Sequence, residues 1–320
     1  MKFHMMRALA GFLIGNAMVL SSSSTIAGQP ETKDPIKLPL INSADFDFIS
    51  TVYGGALKKA GYNVEFATVD YTAHFQGVVT GDFPITTGAW ATTPAPVEDA
   101  LSSGKVEDFG STGVAVREGW WYPKYVEAVC PGLPNYEALK QPDCVKALAT
   151  AETAPKARFV NAPADWTTDV DKRAEAFAID IEIISAGTPV ALAAAITGAV
   201  DKKEPILAWG YQPYWLSTKY DGAWVEFPKA EDACFTDPAW GTNPNATWDC
   251  GYKTGNIGKL ANKEFIAKVP YAGSILKKLT LSAEDVGRAT EETDVKGRNM
   301  QEVADEWLAA NAETVDGWLK

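Results

Sequence analysis

The fold is decided by residues 36–90, which read IKLPLINSADFDFISTVYGGALKKAGYNVEFATVDYTAHFQGVVTGDFPITTGAW. The hydrophobic pattern predicts three strands, at residues 36–43, 64–70 and 83–90. Between them it predicts two helices, at residues 45–60 and 71–80, the first ended by Gly61. This alternation of strand and helix is typical of an α/β fold with a mostly parallel sheet.

A second α/β series follows after an extended segment at residues 111–121. It has predicted strands at residues 156–163, 181–187, 205–213 and 223–229, and predicted helices at residues 168–178 and from Thr188 and Pro189 onward. Residues 229–258 are predicted to form an irregular loop, and the remainder is predicted to be helical, with a capping box that starts at Ser282.

Two such series predict two α/β lobes with a ligand cleft between them, because some 290 residues are near the upper limit for one core. Lobe one is predicted to combine residues 28–116 with residues 230–320, and lobe two to hold residues 117–229. The chain is expected to cross between the lobes near residues 117–123 and again near residues 224–229.

The N-terminus has the pattern of a secretory signal at residues 1–27. Lys2 and Arg7 precede an apolar stretch at residues 8–20, and Thr25-Ile26-Ala27 resembles a cleavage site. The apolar stretch is too short for a permanent membrane anchor, and no Cys stands near the cleavage site to carry a lipid. A free periplasmic protein is therefore predicted.

The chain has four cysteines, all after the signal segment. Each lies in a loop rich in Pro, Gly or Asn, and the pairs Cys130–Cys144 and Cys234–Cys250 are close in sequence. Because an exported chain meets an oxidising compartment, we predict these two disulfides. The spacing and the scarcity of His argue against the alternative, a zinc site.

The charge balance excludes some partners. The net charge is −12 for the whole chain and −14 without Lys2 and Arg7, which leaves 27 basic against 41 acidic residues. Such a chain is not expected to bind nucleic acid or an anionic membrane.

Catalytic motifs are scarce in the sequence. Beyond the signal segment the only histidine is His74, and neither G-x-S-x-G, H-E-x-x-H nor a phosphate-binding Gly loop is present. We therefore expect no enzyme. A glycosidase with a carboxylate pair and a sugar-binding transport protein remain the alternatives, since aromatic side chains also stack on sugars.

Tryptophan is the most informative residue type, with eleven in the chain. Four groups follow predicted strands or end them, namely TTGAW with Trp90, REGWWYP with Trp120 and Trp121, NAPADW with Trp166, and LAWGYQPYW with Trp209 and Trp215. Ligands of open α/β folds bind at the carboxyl edge of the sheet. Because indole faces attract cations, these groups predict a container for a methylated ammonium ion. A role in the core is expected for most of Trp215, Trp224, Trp240, Trp248, Trp307 and Trp318.

The TGAW, WWYPKYV and WGYQPYW segments, the signs of export and the two lobes together resemble the glycine betaine/choline/trimethylamine N-oxide class of ABC-transporter substrate-binding proteins. The resemblance covers most of the chain after the signal. It implies a type II periplasmic-binding-protein fold and a monomer that delivers a trimethylated amine to a transmembrane permease. It also implies an aromatic box formed by Trp90, Trp166, Trp209 and either Trp120 or Trp121.

The chain departs from the family in two places. Members of the family often have W-x-P-x-W in the late strand, whereas WGYQPYW places Tyr211 two residues before Pro213. Trp209 and Tyr211 share a face of an extended strand, so both are expected to line the box. Betaine-specific members bind the ligand carboxylate with a basic residue or a Gly-rich turn after the lobe-two Trp, but Thr167 and Thr168 follow Trp166 here.

Glu118 decides the predicted substrate. It lies two residues before Trp120, so the two side chains are expected on the same face of the strand, at the place where the chain should cross between the lobes. A carboxylate there would repel betaine, and desolvation among indoles raises the pKa of a Glu, so that its acid form can donate to an N-oxide oxygen. We therefore rank trimethylamine N-oxide first, choline second and glycine betaine third. The alternative is a surface Glu beside Arg117 or Lys124.

The loop at residues 229–258 carries many side-chain oxygens. Those of Asn243, Asn245, Thr247 and Asp249 alternate along the chain, with Asp237 nearby, and hard cations bind such oxygens. A structural Ca²⁺ is one interpretation and ordinary turn chemistry is the other, since the full EF-hand pattern is absent. No cofactor is expected for function.

Overall fold

The computed structural model describes residue 1 and residues 28–320. The predicted signal segment at residues 2–27 lies outside the described residues. Within the described part of the chain, no helix is both long and apolar enough to cross a membrane.

The first series forms as predicted. The ends of its first two helices lie within one residue of the predicted positions. Its elements are β1 (Ile36–Leu40), α1 (Ala44–Lys59), β2 (Val64–Thr68), α2 (Tyr71–Thr80), β3 (Ile85–Trp90) and α3 (Pro94–Ser102). The predicted apolar face of α1 is buried, including Phe46, Ile49 and Val52. β1 and β2 pair in parallel with each other.

The second series also forms, with additional short elements between its strands. It consists of β5 (Pro131–Pro134), α4 (Pro142–Leu148), β6 (Ala157–Asn161), α5 (Val170–Ala176), β7 (Ile181–Ser185), α6 (Pro189–Lys202), β8 (Leu207–Gln212), α7 (Leu216–Lys219) and β9 (Gly222–Trp224). The predicted cap of α6 is confirmed, because the Thr188 hydroxyl accepts the Ala191 N–H. The predicted strand at residues 223–229 is shorter than expected.

The C-terminal part returns to the first lobe. It contains α8 (Asp232–Thr236), β10 (Gly255–Asn262), α9 (Lys263–Lys268), α10 (Pro270–Lys278), α11 (Ala283–Thr290), a π-helical turn (Glu291–Val295), α12 (Met300–Ala310) and α13 (Ala312–Trp318). The capping box at the start of α11 is confirmed, since Ser282 and Asp285 exchange side-chain to backbone hydrogen bonds.

One long strand, β4 (Val106–Pro123), joins the two lobes. In the larger sheet the strand order is β3-β10-β4-β8-β6-β7, and β9 also pairs with β4. β4 pairs with β10 as far as Val116 and with β8 from Arg117 onward. The change of partner therefore falls where the sequence predicts that the chain first crosses, which brings residues of both lobes together around Glu118.

The strand β10 corrects the sequence interpretation, which placed a loop and then helices here. β10 lies between β3 and β4 and runs antiparallel to both, so the sheet is mixed rather than mostly parallel. Its pattern is weak because Gly255 and Gly258 interrupt it and the register shifts at Gly258. Its partners are also distant in sequence, so no local signal marks it.

Both predicted disulfides, Cys130–Cys144 and Cys234–Cys250, are present. The second closes part of the loop at residues 230–254, which packs on α5 of lobe two. Asn243 donates its side-chain amide to the Ala176 carbonyl, and Arg173 donates to the Cys250 carbonyl. The assignment of residues 230–254 to lobe one stays a prediction, while hydrogen bonds from Arg173 and Asn243 tie this loop to α5.

Candidate ligand-binding site

A small cavity lies between the lobes, beside the point where β4 changes partner. Residues from the ends of β1, β3 and β8, from the crossing strand and from the loop after β6 line it. The lining consists of Ile41, Ser43, Asp45, Tyr71, Trp90, Thr93, Glu118, Trp166, Thr167, Thr168, Trp209 and Tyr211. Five of the seven ligand residues predicted from the sequence therefore meet at one cavity.

Five aromatic rings make up much of the cavity wall. The Tyr211 ring meets Trp90 edge to face at 5.8 Å and Trp166 edge to face at 5.5 Å between centroids. Trp90 ends β3, and its backbone N–H donates to the hydroxyl of Tyr71, the first residue of α2. Trp209 and Tyr211 share one face of β8, as their spacing predicts. Both lobes thus contribute ring faces to the same space.

Glu118 is the carboxyl group at the crossing. It pairs directly opposite Tyr211 across the β4–β8 ladder, which places its side chain on the same face. Burial raises its pKa to about 8, while the Thr92 hydroxyl and the Arg173 guanidinium act in the opposite direction. At neutral pH this side chain is therefore mostly an uncharged acid, which can donate a hydrogen bond into the cavity.

Asp45 is a second buried carboxyl in the wall, and sequence reasoning missed it. It lies in the first turn of α1 and is 2% exposed. Burial raises its pKa to about 6, although the Ser43 hydroxyl donates to it at 2.5 Å. It is mostly a carboxylate at neutral pH, so the cavity holds one anionic and one neutral carboxyl group.

Two other polar atoms in the wall residues lack partners. Trp209 Nε1 and the Tyr211 hydroxyl are buried without a hydrogen bond. The Ser43 hydroxyl is near enough to lower the pKa of Tyr211 slightly but does not meet hydrogen-bond geometry. Buried donors are nearly always satisfied in folded proteins, so these two are candidates for bonding a ligand.

The wall has no positive charge to balance its acids. Among the described residues that line the cavity, none is a Lys, Arg or His. A desolvated carboxylate needs a counter-charge, and aromatic faces attract cations. The cavity is therefore chemically suited to a small cation with an apolar surface and one hydrogen-bonding group.

The structure places Trp120 and Trp121 outside this cavity. Trp120 is fully buried, lies 4.9 Å from the Phe159 ring between centroids, and donates from Nε1 to the Tyr252 hydroxyl at 3.0 Å. It shares the face of Glu118 but lies two residues further into lobe two. Trp121 lies on the opposite face of β4, beside Leu192 of α6, because successive side chains of a strand alternate.

The oxygen side chains proposed for Ca²⁺ are largely used in turns. Asp249 accepts the backbone N–H of Asn243 at 2.8 Å, Asn243 accepts that of Asn245, and Asp237 accepts that of Ala239. Within residues 28–320 no group of three or more His, Cys, Asp or Glu is placed to hold a metal. One Asp249 oxygen has no partner. Calcium binding by Asp237, Asn243, Asn245, Thr247 and Asp249 stays a prediction, tested by whether added Ca²⁺ raises the unfolding temperature.

The wall residues that sequence reasoning missed share a signal that was available. Ser43 and Asp45 follow β1, and Thr93 follows β3, at the same carboxyl edge where the tryptophans were recognised. Tyr71 opens α2 after β2, and its hydroxyl bonds Thr93 at 2.9 Å. The edge rule applied to polar residues as well as to Trp would have found them.

A family profile described as "Substrate binding domain of ABC-type glycine betaine transport system" matches residues 34–310. The trimethylamine N-oxide-binding protein of Pelagibacter ubique is 27% identical over 307 residues, which cover 92% of this chain and 95% of that protein. The glycine betaine/proline betaine-binding periplasmic protein of Salmonella typhimurium is 24% identical over 319 residues, covering 93% and 92%.

The crystal structure of lactococcal OpuAC, closed on glycine betaine, has a TM-score of 0.68 and 18% identity, and the match covers 90% of this chain and 100% of that one. At this identity the likeness concerns the fold. It confirms the two-lobed α/β architecture predicted from the sequence.

Proposed function

The chain belongs to the family of substrate-binding domains of ABC-type glycine betaine transport systems, and from that premise we propose that it captures trimethylamine N-oxide and delivers it to the permease of an importer. The family consists of substrate-binding proteins rather than enzymes, which agrees with the absence of catalytic motifs from the sequence.

The observation that carries the proposal is the cavity wall, with five aromatic rings, the buried Asp45, the partly buried Glu118 and no basic side chain among its described residues. Three methyl groups on a positive nitrogen present an apolar cationic surface, which ring faces and the Asp45 carboxylate attract. We assign the cation to Trp90, Trp166, Trp209 and Tyr211. Trp120 and Trp121 support β4 from outside the cavity.

The N-oxide oxygen distinguishes this ligand from other trimethylated amines, because it accepts hydrogen bonds at the place where it carries negative charge. Glu118, with a pKa raised to about 8, can donate to it in the acid form. Trp209 Nε1 and the Tyr211 hydroxyl are buried donors without partners in the same wall. The relationship to the N-oxide-binding protein of Pelagibacter ubique supports the same choice.

Choline is the second candidate, since its hydroxyl can donate to Asp45 or Glu118 and it carries no negative charge. Glycine betaine fits less well, because its carboxylate would lie near the Asp45 carboxylate in a wall without a described basic residue.

We place the protein in the periplasm as a monomer. The signal pattern at residues 1–27 and the two disulfides support export. The Salmonella typhimurium relative is described as periplasmic.

Calorimetric titration of the protein lacking residues 1–27 tests the proposal, with trimethylamine N-oxide, choline, glycine betaine and a neutral sugar as ligands. Unfolding and refolding the protein first removes any ligand carried through purification. We expect the N-oxide to bind most tightly. Tighter binding of betaine than of the N-oxide would contradict the substrate, and binding of the sugar alone would contradict the ligand class.

A further inference from the structure

Arg173 is a buried cation without an ion pair. It lies on α5 with 2% of its surface exposed, and in the described part of the chain no carboxylate approaches it within 4.0 Å. Its guanidinium donates instead to four backbone carbonyls, those of Thr168, Asp169, Cys250 and Gly251, at 3.1–3.5 Å. Burying an unpaired charge costs folding free energy, which indicates that Arg173 has a specific role at this position.

Aromatic rings cover the remaining faces of the guanidinium. Its central carbon lies 3.6 Å from the Tyr252 ring centroid and 5.1 Å from that of Trp248. The Tyr252 ring in turn meets Trp209 edge to face at 5.1 Å. Arg173 is thus connected to a wall residue of the ligand cavity through a single ring.

The four carbonyls belong to two segments that are far apart in the sequence. Thr168 follows Thr167 in the cavity wall, and Asp169 adopts a left-handed conformation at φ 48°, which is uncommon for a residue other than Gly. Cys250 and Gly251 belong to the loop closed by the Cys234–Cys250 disulfide. Arg173 therefore fixes the wall after Trp166 against that loop.

A second cavity, lined in part by Arg173, adjoins the ligand cavity. It shares Thr93, Glu118, Thr167 and Thr168 with the ligand cavity, while Arg173 lines the second cavity only. Glu118 therefore borders both cavities, whereas Arg173 borders the second. The charged and titratable groups that act on Glu118 from the surrounding elements are Asp45, Tyr71, Asp169, Arg173 and Tyr252.

We propose that Arg173 is a positioning residue of the ligand site, which holds the wall at Thr168 and Asp169 against the loop at Cys250 and Gly251 and places a positive charge beside the cavity that Glu118 also lines. This inference rests on the proposed function only for its ligand readout.

The direction in which each substitution should change the pKa of Glu118 follows from the charge that it removes. Arg173 favours the Glu118 carboxylate and Asp169 disfavours it. Removing the Arg173 charge should therefore keep Glu118 protonated to higher pH. Removing the Asp169 charge should do the opposite, and Asn is a matched replacement because it tolerates the left-handed backbone.

The test compares wild type with Arg173→Gln, Arg173→Lys and Asp169→Asn. For each, the affinity for trimethylamine N-oxide is measured from about pH 6 to about pH 10. The midpoint of the alkaline loss should rise by on the order of one pH unit in Arg173→Gln and fall in Asp169→Asn. In Arg173→Lys it should stay near the wild-type value, even if the affinity drops uniformly.

A second readout needs no ligand. The carboxyl ¹³C NMR signal of Glu118, assigned by its absence from Glu118→Gln, gives the midpoint directly. Unchanged midpoints in Arg173→Gln and Asp169→Asn, or shifts of the same sign, overturn the proposal, and a uniform loss of affinity across pH would indicate a purely structural role. Shifted NMR midpoints without N-oxide binding would refute the proposed function alone. Should Arg173→Gln fail to fold, Asp169→Asn still decides.

Discussion

Replacement of Glu118 by Gln gives the sharpest prediction, because the two side chains are nearly isosteric and only one can lose its proton. The pKa of Glu118 is raised to about 8 by burial. The acid form therefore makes up roughly nine-tenths of the free protein at about pH 7 and roughly one-tenth at about pH 9.

If only the acid form donates to the N-oxide oxygen, wild-type affinity should weaken about tenfold between about pH 7 and about pH 9. Glu118→Gln keeps a donor at all pH values, so it should bind within a few-fold of wild type at about pH 7 and more tightly at about pH 9. Glu118→Ala leaves the ligand oxygen unpartnered and should cost about 1–3 kcal/mol at neutral pH.

Isothermal titration calorimetry of the three proteins, each at several pH values, measures these differences. Tyrosine ionisation should not interfere, because burial raises the pKa of Tyr252 to about 12 and those of Tyr71 and Tyr211 well above the usual value. Choline serves as a control, since its affinity should rise as Glu118 ionises. A wild-type affinity for the N-oxide that is flat with pH, or a parallel alkaline loss in Glu118→Gln, would refute the reasoning.

Replacement of Trp90, Trp166 or Trp209 by Ala should weaken N-oxide binding by about 1–3 kcal/mol in calorimetry, and Phe should retain more affinity than Ala. Trp120→Phe is the matched control, because it lies outside the cavity: it should lower the unfolding temperature through loss of its bond to Tyr252 and leave affinity nearly unchanged. The ligand-free protein should lose stability as pH rises from about 4 to about 8, because the native state binds more protons than the unfolded chain where the pKa values of its buried carboxyls are raised, to about 6, 7 and 8 for Asp45, Asp47 and Glu118. His74 acts in the opposite sense, since burial lowers its pKa to about 3, so it should reduce the stability gained on acidification below about pH 6, and His74→Phe should enlarge that gain in thermal scans.

Local patterns in the sequence predicted most of the elements and much of the site. The face of α1, the Thr188 and Ser282 caps and the short-range disulfides all depend on residues near one another in the chain. Trp90, Trp166, Trp209 and Tyr211 could be placed at one edge because each follows or ends a recognisable strand. Neighbouring residues carry the information in all these cases.

The residues that sequence reasoning misplaced depend on distant partners. Trp120 lies on the strand face that the sequence predicts, the same face as Glu118. Phe159, Phe227 and Tyr252 nevertheless enclose it and separate it from the ligand cavity. β10 has no pattern of its own and exists because β3 and β4 offer it two edges. The burial of Asp45 cannot be predicted from its neighbours in the sequence, because it depends on packing against distant parts of the chain.

The sequence by itself determined the class of fold, the lobes, the disulfides and a chemistry of aromatic rings and a carboxyl group, because these follow from composition and short-range periodicity. Only the tertiary structure decided which rings line the cavity, that Asp45 lies in the same wall as Glu118, and that Arg173 lines the adjoining cavity. Burial and electrostatic coupling are properties of groups brought together from distant parts of the chain, and the protonation of Glu118 depends on both.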